Sequence, residues 1–365
     1  MVALTAFCTP IAFSLGARLG SRRLTSPVPA AVGLGGRRAV LRARLLWSAP
    51  ALLLPAAVTM GLPRLFTTIY RALVGSRVLN EPVVVPTPPR PGADAEDVED
   101  AAGAAATAAA AAGALRGDIL ALHTRFLSDD GTSVDYEGLR ASDAFAAYVE
   151  RTRTLGALSP ALLTERQRLV LFINIYNMLT IHALCVTGAP STSLGRLVWT
   201  TRMSYRVGDH VYGLSDIENG VLRGNAPFYV FAPPFGPHDP RREVALPKAQ
   251  PLIHMALNCG ATSCPPVRYF EEANVEDALE AAAASFLNDD ANCAVDVGGR
   301  TVQLSAIFSW YATDFGDGTD AGVLGWVRDH LPEASKKRVA LDDLLTSAGG
   351  PVAIKINKYD WSLNT

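Results

Sequence analysis

From Thr164 to Ala183 the chain reads Thr-Glu-Arg-Gln-Arg-Leu-Val-Leu-Phe-Ile-Asn-Ile-Tyr-Asn-Met-Leu-Thr-Ile-His-Ala, a stretch whose apolar residues would occupy nearly every side of a helix. Such a helix cannot sit at a surface; the rest of the fold has to wrap it. Thr164 and Gln167 have the T-x-x-Q spacing of a capping box, which fixes where the helix starts. With 49% hydrophobic residues in 365, the chain has enough apolar material to enclose it. Asn174, Asn177 and His182 interrupt the apolar run. Each needs a hydrogen-bond partner, since a buried unpaired polar group costs roughly 1 to 3 kcal/mol. Either they fix the packing of neighbouring backbone or they line a site.

The flanking sequence supplies the wrapping. Helical spacing of Ile119, Leu120, Leu122, Phe126 and Leu127 ends at the turn signal Ser128-Asp-Asp-Gly131, and a second helix is expected over 142–154. Tyr205 to Tyr212 alternates around Gly208-Asp209, and 293–297 joins 301–304 through Gly298-Gly-Arg300; both predict hairpins. Leu252 to Leu257 has the length of a buried strand, and helices are expected over 276–287 and 321–330. The polar, aromatic end Lys355 to Asn364 predicts a docked last strand and turn around Asp360 and Trp361. No βαβ alternation and no internal repeat appear. The expected fold is therefore α+β: a single domain with a central buried helix packed on a mainly antiparallel sheet.

The formal net charge of −2 hides a division. Residues 1–80 hold ten Arg and no Lys, Asp or Glu, which leaves 23 basic against 35 acidic residues in the remainder. An acidic remainder argues against nucleic acid as a partner, and against an anionic membrane surface. The Arg-rich, acid-free stretch of 80 residues reads as an organelle targeting leader with a plastid address, the alternative being a secreted or membrane-anchored protein. Arg37-Arg38 ahead of the uncharged run 45–63 also fits a second, lumen-directed signal into the thylakoid. A membrane enters only if that run, interrupted by Pro50, Pro55 and Pro63, is retained. Residues 81–115 are a linker: five Pro, then five acids, then an Ala tract, so the folded domain is expected over 116–365.

The candidate chemistry lies in His254-Met-Ala-Leu-Asn-Cys-Gly-Ala-Thr-Ser-Cys-Pro-Pro266. A cysteine nucleophile needs its thiolate, which a neighbouring imidazole can promote and a third polar group can orient. On a strand His254 and Cys259 would face opposite sides, whereas Cys264, beyond Gly260-Ala261, has freedom to turn back. Cys264 is thus the candidate nucleophile and His254 its base, with Glu218 or Asn177 orienting the imidazole or donating to an oxyanion. Three other readings stand beside it: a Cys259–Cys264 disulfide, two ordinary buried thiols, and a metal site from His254, Cys259, Cys264 and His182. The H-x4-C-x4-C spacing matches no familiar structural zinc pattern. Ser215 and Glu218 also have capping-box spacing, so in one reading Glu218 only starts a helix; inside a cleft it would orient His254 or pair with Arg223 or Arg268. If the cluster binds a small molecule or peptide without turnover, Asn174, His182, Asn258, Cys259, Arg223 and Arg268 are the residues to line it. No nucleotide loop, Rossmann fingerprint, haem motif or EF-hand offers a cofactor.

Five blocks of the sequence resemble the DUF547 domain family, whose activity is unknown. They are Leu171-Phe-Ile-Asn-Ile-Tyr-Asn-Met-Leu-Thr-Ile-His182, Leu214-Ser-Asp-Ile-Glu-Asn-Gly-Val-Leu-Arg-Gly224, the His254 to Pro266 motif, Leu304-Ser-Ala-Ile-Phe-Ser-Trp-Tyr311 and Tyr359-Asp-Trp-Ser-Leu-Asn364. They follow the family's order across 118–364. A leucine-zipper region that precedes the domain in some plant members has no counterpart here. A helix followed by a His-bearing sheet also loosely resembles the papain and transglutaminase arrangement. Those enzymes place Cys at the start of the central helix, where this chain has Asn174 and Asn177.

Overall fold

Thr164 and Gln167 form both halves of their capping box: the Gln167 N–H donates to Thr164 Oγ1 at 3.2 Å, and the Thr164 N–H to Gln167 Oε1 at 3.1 Å. The helix they open buries every residue from Leu171 to Cys185. It is long and apolar enough to cross a bilayer, yet it is enclosed by protein, as its all-round pattern requires. The computed structural model describes residues 56–81, 101–228, 231–347 and 350–365. Most of the predicted leader, the Pro-rich and acidic part of the linker, and residues 45–55 of the apolar run lie outside these.

In chain order the elements are α1 (Ala56–Val74), β1 (Arg77–Val78), α2 (Ala101–Phe126), α3 (Tyr136–Arg140), α4 (Asp143–Arg151) and the central α5 (Glu165–Thr187). There follow α6 (Ser193–Arg202), β2 (Met203–Val207), β3 (His210–Gly213), a π-helix (Asp216–Leu222), a 3-10 turn (Pro251–Met255) and α7 (Val275–Asn288). The chain closes with β4 (Cys293–Asp296), β5 (Thr301–Leu304), α8 (Ile307–Trp310), α9 (Asp320–His330), α10 (Lys336–Thr346) and β6 (Ala353–Ile356). By contacts, two units emerge, one of 1–69 with 229–232, the other of 70–228 with 233–365. In the first, Thr67 Oγ1 donates to the Pro63 carbonyl and accepts from the Ala232 N–H.

The second unit has the expected α+β composition. Both predicted hairpins form, with Tyr205 opposite Tyr212 and Val295 opposite Val302. The sheet differs from the expectation: it is two three-stranded mixed sheets, in which β1 adds to β2 and β6 to β5 in parallel. A parallel neighbour needs a crossover of a dozen or more residues, and both added strands come from distant parts of the chain. Residues 77–80, placed by sequence in the leader, enter the first sheet. The buried Asn80 amide donates to the Thr152 and Arg206 carbonyls and accepts from the Arg206 N–H.

Two apolar cores fill this unit. The first surrounds α5 and the β2–β3 hairpin, where the Phe172 and Tyr212 rings lie 5.3 Å apart. The second joins α7, α9 and α10 to the β4–β5 hairpin. Residues 252–257, expected as a strand, begin instead with the 3-10 turn. Pro251 opens that turn with its fixed φ, and a short apolar run has no period that distinguishes strand from helix. Ile253 enters the first core and Met255 the second, so His254 is held at their seam.

Candidate functional site

The two interior asparagines of α5 hold the Cys259–Cys264 loop in place. Asn174 forms a two-way bridge with Phe270, donating to its carbonyl at 2.8 Å and accepting from its N–H at 3.0 Å. Asn177, one helical turn on, donates to the Ala256 carbonyl and accepts from the Asn258 N–H, both at 2.9 Å. Asn258 then closes the loop on itself, donating to the Pro265 carbonyl and accepting from the Gly260 N–H, each at 2.7 Å. Gly260 has φ +82°, and a Cβ there would meet Leu184 Cδ1 at 2.3 Å, so only glycine fits under the helix. The third interior polar residue, His182, pairs through Nδ1 with the Tyr205 hydroxyl at 2.8 Å. Burial lowers its pKa to about 4 and keeps it neutral.

Inside this frame the two cysteine sulfurs are in contact without a disulfide bond, Sγ to Sγ 2.7 Å, both residues partly exposed. Cys264 Sγ accepts from the Cys259 N–H at 3.1 Å and from the Tyr359 hydroxyl at 3.2 Å. Burial opposes charge on this sulfur, but hydrogen bonds from the Cys259 thiol, the Tyr359 hydroxyl and backbone N–H groups outweigh it and bring the Cys264 pKa down to about 7. Cys259 moves the other way: the hydrogen bond it donates to Cys264, then burial, then the charge of Cys264 raise it well above the ordinary thiol value. One thiolate with a protonated neighbour is the arrangement expected of two thiols sharing one charge.

His254 belongs to a second cluster. Its Nε2 lies 2.8 Å from Asp314 Oδ2, and Asp314 also accepts from Arg223 Nε at 2.5 Å and Nη2 at 2.8 Å. All three side chains are buried. Because a carboxylate only accepts, Nε2 carries the proton and Nδ1 keeps a basic lone pair. Burial lowers the His254 pKa against the pull of Asp314. For Asp314, burial is outweighed by Arg223 and His254, which hold it well below the usual carboxylate range. The Tyr311 ring stacks on the imidazole at 4.0 Å, and Phe315 covers it at 5.4 Å.

Glu218 connects the clusters. Its carboxylate accepts from the Tyr311 and Tyr176 hydroxyls, and its charge adds to the pressure that keeps Cys259 protonated. The helix start expected at Ser215 is not capped by that side chain; the segment is a π-helix, in which the Arg223 N–H reaches the Glu218 carbonyl five residues back. The wider turn, a form frequent at functional sites, carries Glu218 beside the two tyrosines and Arg223 beside Asp314.

The structure thus brings His254, Glu218, Arg223, Cys259 and Cys264 into linked clusters, with Asn174, Asn177 and Asn258 as the braces behind them. Among the described residues His254 and Cys264 share no hydrogen bond. The carboxylate on the imidazole is Asp314, which sequence reading missed; its one signal was the neighbouring Tyr311, three residues earlier in a family-like block. Tyr359 was noted only as part of the chain's end. Arg268 donates to the Ser285 hydroxyl at 3.4 Å. Among the described residues no group of three or more His, Cys, Asp or Glu is placed to hold a metal ion.

Comparison with family models matches residues 160–287 to the family described as "Protein of unknown function, DUF547". Over this segment the chain is similar to the DUF547 family. The DUF547 segment contributes α5, the π-helix, His254 and both thiols, whereas Tyr311, Asp314 and Tyr359 come from the chain beyond it. No curated protein and no solved structure matches the chain.

Proposed function

We propose that this DUF547 protein is a thiol-dependent acyl hydrolase or acyl transferase whose nucleophile is Cys264. One observation carries the reading: the Cys264 sulfur accepts from the Cys259 N–H and the Tyr359 hydroxyl and lies 2.7 Å from the Cys259 sulfur, contacts that favour a thiolate near neutral pH. The thiolate attacks an acyl carbon to form a thioester, the leaving group departs with its bonding electron pair and takes a proton from water, and water or an acceptor alcohol or amine then releases the acyl group and returns the thiolate. Tyr359 and Cys259 hold the sulfur. His254, fixed by Asp314, keeps a free lone pair on Nδ1 to take the proton of the incoming water. The test is reaction with p-nitrophenyl acetate: a burst of one p-nitrophenolate per chain with acetylated Cys264 by mass spectrometry, absent in Cys264→Ser and kept in Cys293→Ser. Hydrolysis without an acyl–Cys264 adduct sinks the reading.

The 2.7 Å contact between sulfurs favours a second reading, a dithiol that cycles with a disulfide. An oxidant such as hydrogen peroxide would then remove two electrons and two protons from the pair. Loss of both free thiols under peroxide, with no acyl adduct under the ester, selects it over the first. A third function, binding of a peptide or small molecule without turnover, would leave both sulfurs inert to either reagent.

We also propose a plastid address, on the strength of the acid-free, Arg-rich first 80 residues. The packing of β1 and Asn80 favours a processing point ahead of Tyr70. N-terminal sequencing of the protein isolated from cells checks both; a mature start beyond Glu81 removes the second.

A further inference from the structure

The chain's last residues carry chemistry that the thiol site leaves unused. Arg196 of α6 and residues Lys358 to Ser362 line a cavity of about 530 Å³, a size suited to a small organic ligand. Its wall is continuous with the thiol loop. Tyr359 lines the cavity and donates its hydroxyl to Cys264 Sγ. The Asp360 carbonyl and N–H bond the Ser263 N–H and Oγ, and Thr262 pairs with Ser362. A molecule in this cavity is therefore one side chain away from the sulfur.

The lining has a cationic end and an aromatic body. Arg196 lies over the Trp361 ring at 4.5 Å and donates one N–H to the Trp361 carbonyl at 3.1 Å, out of the five that a guanidinium has. Lys358 is exposed. Neither cation makes an ion pair within 4 Å among the described residues, although the Lys358 charge helps hold Asp360 below the usual carboxylate range. Asp360, the acid in the lining, turns its carboxylate onto the Ser362 N–H and hydroxyl at 2.9 and 2.8 Å. Trp361 packs on Tyr359 at 4.6 Å and on Trp310 at 5.4 Å, an aromatic cluster beside the cations.

We infer that this cavity is an anion subsite, in which Arg196 and Lys358 hold the carboxylate or phosphate of a small organic acid whose body lies on Trp361. In assigning that acid to the acyl substrate, the inference rests on the thiol reading; as a binding site it stands apart from it. The substrate class is then an acyl compound with a negative charge at one end.

Calorimetric titration of the full chain with phenylacetate and with phenyl phosphate tests it, with neutral phenylacetamide as control. At least one anion should bind about tenfold more tightly than the amide, the yield of a charge-assisted contact, and the stronger one names the source. Arg196→Gln and Lys358→Gln should each remove that preference. Lys358 is exposed, so its variant decides if Arg196→Gln disturbs the chain's end. Equal binding of amide and anions, or anion binding unchanged in Lys358→Gln and Arg196→Gln, overturns the subsite. A parallel arm compares Cys264 alkylation by iodoacetate and iodoacetamide: the two variants should slow iodoacetate and leave iodoacetamide unchanged. A sulfur inert to both reagents in a protein that still binds phenylacetate removes the thiol reading and keeps the subsite. A reactive sulfur with no anion preference does the reverse.

Discussion

Replacing Asp314 by alanine is expected to destabilise the fold by about 3 to 5 kcal/mol, the usual effect of removing one partner of a buried ion pair. Asp314 is the acceptor for two N–H groups of Arg223 and for Nε2 of His254. The Arg223 and Asp314 side chains are 3% and 5% exposed, so the variant strips a buried guanidinium of its ion-pair partner and leaves it the Asn219 side-chain oxygen and the Pro227 carbonyl as acceptors. The Arg223→Met, Asp314→Leu double variant removes both charges and should recover most of the loss, because apolar replacement of a whole buried pair is often neutral. Urea unfolding measures both; a loss under about 1 kcal/mol for Asp314→Ala would show the pair to be solvated. The pH dependence has a definite sign. The folded pKa of Asp314 lies below its ordinary value of 3.8, so its contribution is present in full above the ordinary carboxylate range. It is lost as pH falls through that range and below it. In Asp314→Asn that part of the acid sensitivity should disappear.

Local signals in the sequence were strong where the relevant partners lay close together. Thr164 with Gln167, Tyr205 with Tyr212, and the 293–304 hairpin each depend on neighbours within a dozen residues, and all three form. The all-round apolar pattern of α5 was sufficient to place it at the centre, because no other location satisfies it. What escaped was non-local. Asp314 is 60 residues from His254, and nothing in spacing connects them. The parallel strands β1 and β6 are short and partly exposed, so they lack the alternation that would announce them. The π-helix was concealed by a capping-box spacing at Ser215 and Glu218, since Glu218 instead reaches across to two tyrosines. Asn174 and Asn177 need partners, and those partners are backbone groups 79 to 96 residues away, on either side of the thiol loop. An amide that bonds both a C=O and an N–H acts as a piece of sheet edge, which residue type alone does not disclose.

Alkylation of Cys264 by iodoacetamide is expected to rise with a midpoint near pH 7, whereas an ordinary thiol titrates near 8.5. At pH 7 about half of Cys264 is then thiolate, against roughly 3% of an ordinary thiol. The cause is the set of donors around the sulfur, so removing one must move the midpoint. A hydrogen bond to a charged acceptor contributes roughly 1.5 to 3 kcal/mol, and one pKa unit corresponds to about 1.4 kcal/mol. Tyr359→Phe, which deletes the 3.2 Å hydroxyl contact, should accordingly raise the midpoint by about one to two units. Cys259→Ala removes the donor thiol and should raise it as well, while Cys259→Ser keeps a donor and should shift it less. The buried Cys185 and Cys293, whose thiols burial pushes up to about 11, and Cys259, raised well above the ordinary thiol value, remain unlabelled in the same range, so with Cys8 replaced by serine the signal belongs to Cys264. A midpoint above 8 in the reduced protein, or one that Tyr359→Phe does not move, would mean that the donors do not stabilise a thiolate. The burial of the sulfur would then have won over its hydrogen bonds, and the nucleophile would have no source of activation.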